Sequence, residues 1–397
     1  MAALPTQAQQ LADYEYTDSL TLALRAQHRW LVLDSVGGAA LRQGTDYPAL
    51  RRRLGDAALA LDRPAPALRH YGRALRENPL DSAARYGLAL AYLALQQPAP
   101  AALVARGLAP AQRQLLHLTG FRALTQVELE GSMQRSTFER RGPAGFGRLG
   151  ISSRLSPRLT LTQDISRFGQ TVELPDPRGS RIDVQYPVRQ TQYHALLGVQ
   201  LAPRWRVLLG YTYLRSNFGQ LNIAPGHFGY AALAYARPYW VAQVDVFAGR
   251  LTAPAQVQTD LRLTVYPFGT PRLYGFGRAS IVRSAGRGHP NGVLGAGGRL
   301  RPRLWLEVYG GLGQVPVLAE LDGTYVYGLL DPLRQRAGAS LLVWLPHQLS
   351  ARLSYAADRR LDFVRGTRIF TLYSFTSALA WTWQSSRSPL PWLGLPR

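Results

Sequence analysis

The sequence predicts an α + β chain in two parts: a short α-helical domain, then an antiparallel transmembrane β-barrel of about 14 strands, in a range of roughly 12–16. Three observations lead there. Past LLHLTGFRAL the hydrophobic period changes from helical to two, and it stays so to about residue 384. Links between the alternating segments are short and proline-bearing at one end, long and glycine-rich at the other, the asymmetry of an outer-membrane barrel. No run of about 18 apolar residues offers a membrane-crossing helix. The best candidate, YAALAYARPYWVAQVDVFAG, is broken by Arg237, Pro238 and Asp245.

With 397 residues and 46% hydrophobic content, the chain can bury a large core and divide into two domains. Cysteine is absent, which excludes disulfides and thiolate metal sites. The net charge of +22 is carried entirely by arginine, so where the arginines fall matters more than their number. Residues 1–8 read as the remnant of a signal peptide, with small residues before a cut after Ala8. An ordinary chain terminus is the other reading.

Residues 9–49 are predicted to hold a leading helix, because Leu20, Ala23, Leu24, Trp30 and Leu31 share one helical face from Asp18 to about Leu33. Over 50–109 a repeat of about 34 residues appears. Gly55, Ala58, Ala67, Tyr71, Ala74 and Pro79 are followed one period later by Ala89, Tyr92 and Ala101. Small residues let two antiparallel helices cross closely, a ring fills the gap, and proline stops the second helix. This segment resembles tetratricopeptide repeats in two units, although Ala105 stands where an aromatic is usual and no proline follows Leu108. The resemblance implies docking of a protein or peptide; a plain helical hairpin bundle is the alternative. Residues 110–122 are a predicted linker to the barrel at 123–384.

Within the barrel region, Tyr193, Ala195, Leu197, Val199 and Leu201 alternate with Gln190, Gln192, His194 and Gln200. Val257, Leu261, Leu263 and Val265 likewise oppose Gln258, Asp260 and Arg262, and Leu304, Leu306 and Val308 oppose Trp305, Glu307 and Tyr309. Segments of about ten residues suit a tilted membrane strand. Pro157, Pro203, Pro238, Pro271, Pro302 and Pro346 mark the short turns, where a preset φ helps and a missing N–H breaks no ladder bond. Longer links are predicted at 136–145, 170–186, 216–227, 250–256, 284–291, 315–333 and 357–367. Trp205, Tyr239, Trp240 and Trp305 are predicted in one aromatic girdle, and Tyr211, Tyr213, Phe228, Tyr325, Tyr327 and Tyr373 in the other. A soluble propeller is the competing β architecture.

The predicted polar face carries Arg148, Arg154, Arg206, Arg262, Arg278, Arg299, Arg336 and Arg352 against Glu128, Glu130, Asp164, Asp245, Asp260 and Glu307. Such a mixture favours ion pairs across a narrowed or partly filled lumen, or a constriction selecting an anionic or polar solute. A second set, Arg140, Arg141, Arg178, Arg181, Arg215, Arg250, Arg283, Arg287, Arg359, Arg360 and Arg365, falls in the long links. There it is expected to meet outer-membrane lipid and the phosphates of lipopolysaccharide. The arginines form no single stripe, which argues against nucleic acid.

No metal-ligand spacing joins the seven histidines, and no nucleophile elbow or phosphate loop occurs, so no cofactor and no catalytic residue is expected. His227 and His289, in predicted outer loops, are the sole candidates for a lipid-modifying enzyme. GDAALALDRPAPALRHYGRALRENP followed by the barrel pattern resembles the YaiO-like family of outer-membrane proteins and, more distantly, exopolysaccharide exporters. The resemblance implies an outer-membrane location, and an even number of strands puts both barrel ends, and with them the helical domain, on the periplasmic side. The resemblance leaves two functions open, transport or export of a polar or anionic solute or polysaccharide, and a non-conducting assembly barrel that recruits a partner. TRIFTLYSFTSALAWTW is similar to an aromatic-rich closing strand, here followed by a tail at 385–397.

Overall fold

The computed structural model describes residues 7–118, 120–175, 183–219, 221–222, 225–250, 255–315, 318–327, 331–364, 366 and 368–383. The tail, nearly all of the expected leader, and Arg178, Arg181 and Arg365 lie outside them. Seven helices precede the barrel: α1 (Gln7–Ala26), α2 (Trp30–Arg42), α3 (Pro48–Ala60), α4 (Pro64–Glu77), α5 (Ser82–Ala94), α6 (Pro98–Ala105) and α7 (Pro110–Leu115). Proline opens α3, α4, α6 and α7, where its missing N–H costs no helical bond. Asp81 caps α5 by accepting from the Ala84 N–H at 2.9 Å.

The leading segment is two helices and not one, and the expected linker contains α7. The break at Gln27–Arg29 belongs to a period: His28, Asp62 and Gln96 each take left-handed backbone at the turn between paired helices. Those positions are 34 residues apart, so three hairpins stack, one more than the two units predicted. In the first hairpin Trp30 stands where Pro64 and Pro98 open the second helix of the other two, so no helix-start signal marks that position in the sequence. Tyr71 is the pivot of the stack. Its ring is fully buried, and a Cβ on Gly55 or Gly87 would stand 2.7 or 2.3 Å from it. Its hydroxyl donates to Asp56 at 2.6 Å. Ala58, Ala67, Ala74, Ala89 and Ala101 are buried in the same core, and Tyr92 packs half-buried against it. Pro79 follows the end of α4 as expected but is exposed, so it contributes no packing.

Fourteen antiparallel strands then close on themselves. They are β1 (Arg122–Ser136), β2 (Arg141–Arg154), β3 (Leu159–Pro175), β4 (Asp183–Ala202), β5 (Trp205–Phe218), β6 (Gly226–Arg237) and β7 (Trp240–Arg250). After them come β8 (Gln256–Val265), β9 (Leu273–Ser284), β10 (Arg287–Arg301), β11 (Leu304–Val315), β12 (Leu333–Trp344), β13 (Leu349–Leu361) and β14 (Ile369–Thr382). β1 pairs with β14 in the register Met133↔Phe375, so no strand edge is left open. The faces are inverted relative to a soluble sheet. Met133, Ile165, Leu209, Leu233, Leu261, Ile281 and Leu353 stand exposed on the outside. Gln192, His194, Asp245, Gln258 and Asp260 are buried within. An apolar belt of this extent is far larger than the patches soluble proteins expose. No described helix is long and apolar enough to cross a membrane.

The short turns and both barrel ends share one rim. The helical domain meets it there: Asp62 pairs with Arg272, and Arg69 donates to the Tyr239 hydroxyl at 3.3 Å. At the opposite rim the strands run into the predicted links: β3 reaches Pro175 and β4 starts at Asp183, β13 reaches Leu361, and two links shrink to 137–140 and the two-residue turn Ala285–Gly286. Ala285 and Gly286 both take positive φ, the conformation that matches strand twist in a tight hairpin. The ladder continues through Ser284↔Arg287 to Ile281↔Pro290, so RGHPN, read from its composition as loop, is strand.

Candidate functional site: the plugged lumen

Alternation sends every second side chain inward, so the polar residues of fourteen strands face one another across the barrel. The largest correction concerns the link between β11 and β12, predicted as an outward loop. Its segment Leu318–Glu320 pairs with Tyr325–Tyr327 around the turn Leu321–Gly323, and this hairpin folds into the lumen. Gln258 holds it in a strand-like way, its Nε2 donating to the Ala319 carbonyl at 2.8 Å and its Oε1 accepting from the Ala319 N–H at 3.0 Å. Gln192 Nε2 donates to the Thr324 carbonyl at 2.9 Å. Gly323 closes against His194, whose Cε1 would be 3.1 Å from a Cβ there.

Charge anchors the tip. Asp322 Oδ1 accepts from Arg262 Nη1 at 2.8 Å, the Tyr230 hydroxyl at 2.7 Å and Gln243 Nε2 at 3.0 Å. Glu320 lies between two arginines: Arg278 Nη2 donates to Oε1 at 2.5 Å and Arg336 Nη1 to Oε2 at 2.7 Å. The Tyr325 hydroxyl donates to Glu130, and Arg148 lies 5.4 Å over the Tyr325 ring. Nearer the far rim, Asp358 takes Arg336 in a two-pronged pair at 2.7 and 2.9 Å and Arg360 at 2.8 Å. The base of the link is secured by Asp331, which with Asp362 receives Arg141 at 2.7–2.9 Å.

The remaining predicted lumen residues fall into three groups, with Asp164 apart. Arg148 and Arg352 share Glu128 and Glu130, and Arg262 Nε stands 2.5 Å from Asp245 Oδ2. Asp260 accepts from Gln258 at 3.0 Å, and Glu307 from the Tyr274 hydroxyl at 2.7 Å. Arg154, Arg206 and Arg299 lie towards the short-turn rim. Arg206 donates to Thr160 at 3.3 Å, Arg154 is buried across the ladder from Arg122, and Arg299 lies 6.0 Å over Trp305 and 4.0 Å from Asp62. Asp164 is buried with neither oxygen hydrogen-bonded.

Three girdle assignments are overturned, since Trp305 and Tyr325 line the lumen and Phe228 is buried within it. Trp205, Trp240, Tyr211 and Tyr373 are exposed as expected, whereas Tyr239 is engaged by the helical domain; Tyr327 is described only in its backbone. Arg141 and Arg360, expected at loop tips, are buried in ion pairs. Arg215, Arg250, Arg283, Arg287 and Arg359 remain exposed at the far rim. Glu320 and Asp322, the plug's own carboxylates, were missed. Their signal was present in VPVLAELDGTYVYGLL, which is too apolar for a solvated loop.

A cavity of about 900 Å³ runs through the lumen beside the plug, lined by Gln96 from the helices, Arg262, Arg278, Arg336 and Arg352 from the wall, Glu320 and Tyr325 from the plug, and Asp358 and Arg360 nearer the far rim. The described residues hold no cluster of three metal-binding groups. His227 shares a hydrogen bond of 2.7 Å with the Tyr211 hydroxyl on the exposed surface.

No family model matches the chain, so its resemblance to the YaiO-like and tetratricopeptide families rests on sequence features alone. No curated protein matches either. Among solved structures the chain is similar to several outer-membrane β-barrels. The Pseudomonas putida toluene transporter TodX is 8% identical with a TM-score of 0.44, over 65% of this chain and 89% of that one. A Pseudomonas aeruginosa FadL homologue is 10% identical with a TM-score of 0.43, over 70% and 94%. A bacterial polysaccharide outer membrane secretin is 11% identical with a TM-score of 0.39, over 66% and 98%. Likeness at this level concerns the barrel fold alone.

Proposed function

We propose that the chain is an outer-membrane barrel that conducts a polar or anionic solute when the hairpin at 318–327 leaves the lumen. The observation that carries this reading is the plug itself, a separate hairpin held in a membrane-type barrel largely by charge pairs and side-chain hydrogen bonds. Charge pairs of this kind can be exchanged for pairs with a solute, whereas a packed apolar core cannot. The helical domain is assigned to the periplasm, because short turns face that side in outer-membrane barrels. Its three-hairpin stack suits docking of a protein or peptide, as the tetratricopeptide resemblance implies. The exposed far-rim arginines then face lipopolysaccharide phosphates.

Planar-bilayer recording tests this. A variant with residues 316–332 replaced by a short linker is expected to conduct steadily, and the intact chain to open rarely. Silence from a correctly folded plug-deleted barrel would sink the channel reading. The ion pairs that tie Arg148, Arg262, Arg336 and Arg352 to lumen carboxylates favour the second reading, a non-conducting barrel that recruits a periplasmic partner, and that outcome would leave it standing.

A further inference from the structure

We infer that Arg262, Arg278 and Arg336 form a recognition site for an acidic oligosaccharide bearing repeated carboxylates, and that Glu320 and Asp322 occupy it as internal stand-ins. This deepens the channel reading and rests on it. The plug carboxylates are already bound as a ligand would be. Arg278 and Arg336, from β9 and β12, grip separate oxygens of Glu320 at 2.5 and 2.7 Å. Arg262, with the neutral donors Tyr230 and Gln243, holds Asp322.

Two of the three arginines have a carboxylate of the wall beside them as well as the plug. Arg336 is also held by two hydrogen bonds to Asp358, and Arg262 has the Asp245 carboxylate beside it, so both guanidiniums stay aimed at the lumen when the carboxylates leave. Pre-organisation of this kind removes much of the ordering cost of binding. The plug tip, in contrast, carries left-handed backbone at two non-glycine residues, Leu321 and Asp322, a strained conformation of the kind found at switch segments.

All three arginines line the cavity that reaches Gln96 of the helical domain. The same wall presents Tyr266, Tyr274, Phe276, Trp305 and Tyr309. Aromatic faces beside carboxylate-binding arginines suit a chain of sugar rings carrying acid groups better than a small inorganic anion. Such a solute exchanges its carboxylates for those of Glu320 and Asp322, and the displaced hairpin opens the path.

Because the sequence holds no cysteine, Ala319→Cys, at a buried plug position, reports release in the full-length protein. Labelling by a bulky maleimide is expected to accelerate several-fold with tetragalacturonate and to stay unchanged with a neutral tetrasaccharide at equal ionic strength. Glu320→Gln with Asp322→Asn is expected to label rapidly without any solute. No acceleration by tetragalacturonate, or equal acceleration by the neutral sugar or by polyphosphate, overturns the assignment. Calorimetric titration of the unmutated chain needs no variant: binding of tetragalacturonate but not of the neutral tetramer supports the site, and no binding overturns it. Steady conduction by the plug-deleted barrel keeps the channel reading alive even if the carboxylate site fails.

Discussion

Asp322 Oδ1 and Arg262 Nη1 meet at 2.8 Å inside the barrel, although 60 positions separate them in the chain. The contact joins the tip of a loop to the middle of a strand, and it brings a carboxylate to a guanidinium that already has Asp245 beside it. Removing one partner of such a buried cluster leaves a charge exposed to a less favourable field, at a cost of about 3–5 kcal/mol for a fully buried pair.

Asp322→Asn is therefore expected to raise the spontaneous open probability at least about tenfold, since even about 1.4 kcal/mol of lost plug stability corresponds to that factor. Single-channel recording measures it directly. An unchanged record would show that the ion pair does not hold the plug.

Leu261 is exposed on the outer face while its neighbours Asp260 and Arg262 point inward. Leu261→Arg should cost roughly 2–4 kcal/mol if that face lies in hydrocarbon near the bilayer midplane. Reversible unfolding in guanidinium from lipid vesicles gives the number. A neutral result would place the strand in water.

Gly87 has no room for a side chain, because its Cβ would fall 2.3 Å from the Tyr71 ring. Gly87→Ala is expected to destabilise the helical stack by about 1–3 kcal/mol, lowering the melting point of the helical circular-dichroism signal. The barrel, whose strands do not touch this site, should keep its shift in gel mobility on heating.

Acid should weaken the same helical domain through His70. Burial, then the nearby Arg51 and Arg69, hold its pKa at about 4, below the ordinary 6.5. Between those values the unfolded chain binds more protons than the folded one, so stability is full above pH 6.5 and is lost as pH falls towards 4. Allowing for partial solvent screening, the loss by about pH 4.5 is about 1–2 kcal/mol. The hydrogen bond from Arg53 lowers Asp18, and that from Arg51 lowers Asp46, each from an ordinary 3.8. Their contribution is lost mainly below that value, so melts at about pH 7 and 4.5 isolate the histidine. His70→Gln should flatten the difference.

Much of this architecture was legible locally. A strand alternates because its residues face opposite sides, so Leu261 and Arg262 could be assigned outward and inward from their neighbours alone. The short turns at Pro203 and Pro302 likewise announce themselves through backbone geometry. The tight hairpin at Ala285–Gly286 did not, because glycine, histidine and proline above a membrane belt look like a loop whether or not they pair. The first helical hairpin was also hidden: His28 adopts the same left-handed turn as Asp62 and Gln96, but nothing in its side chain requires it.

By itself, then, the sequence determined the division into helices and barrel and the faces of the strands. Only the tertiary structure decided that the link after β11 turns inward and that Glu320 and Asp322 complete the charge pattern of the wall. The physical reason is range. Periodicity, turn chemistry and helix spacing act between residues a few positions apart, whereas an ion pair across a lumen depends on where closure of all fourteen strands places each group.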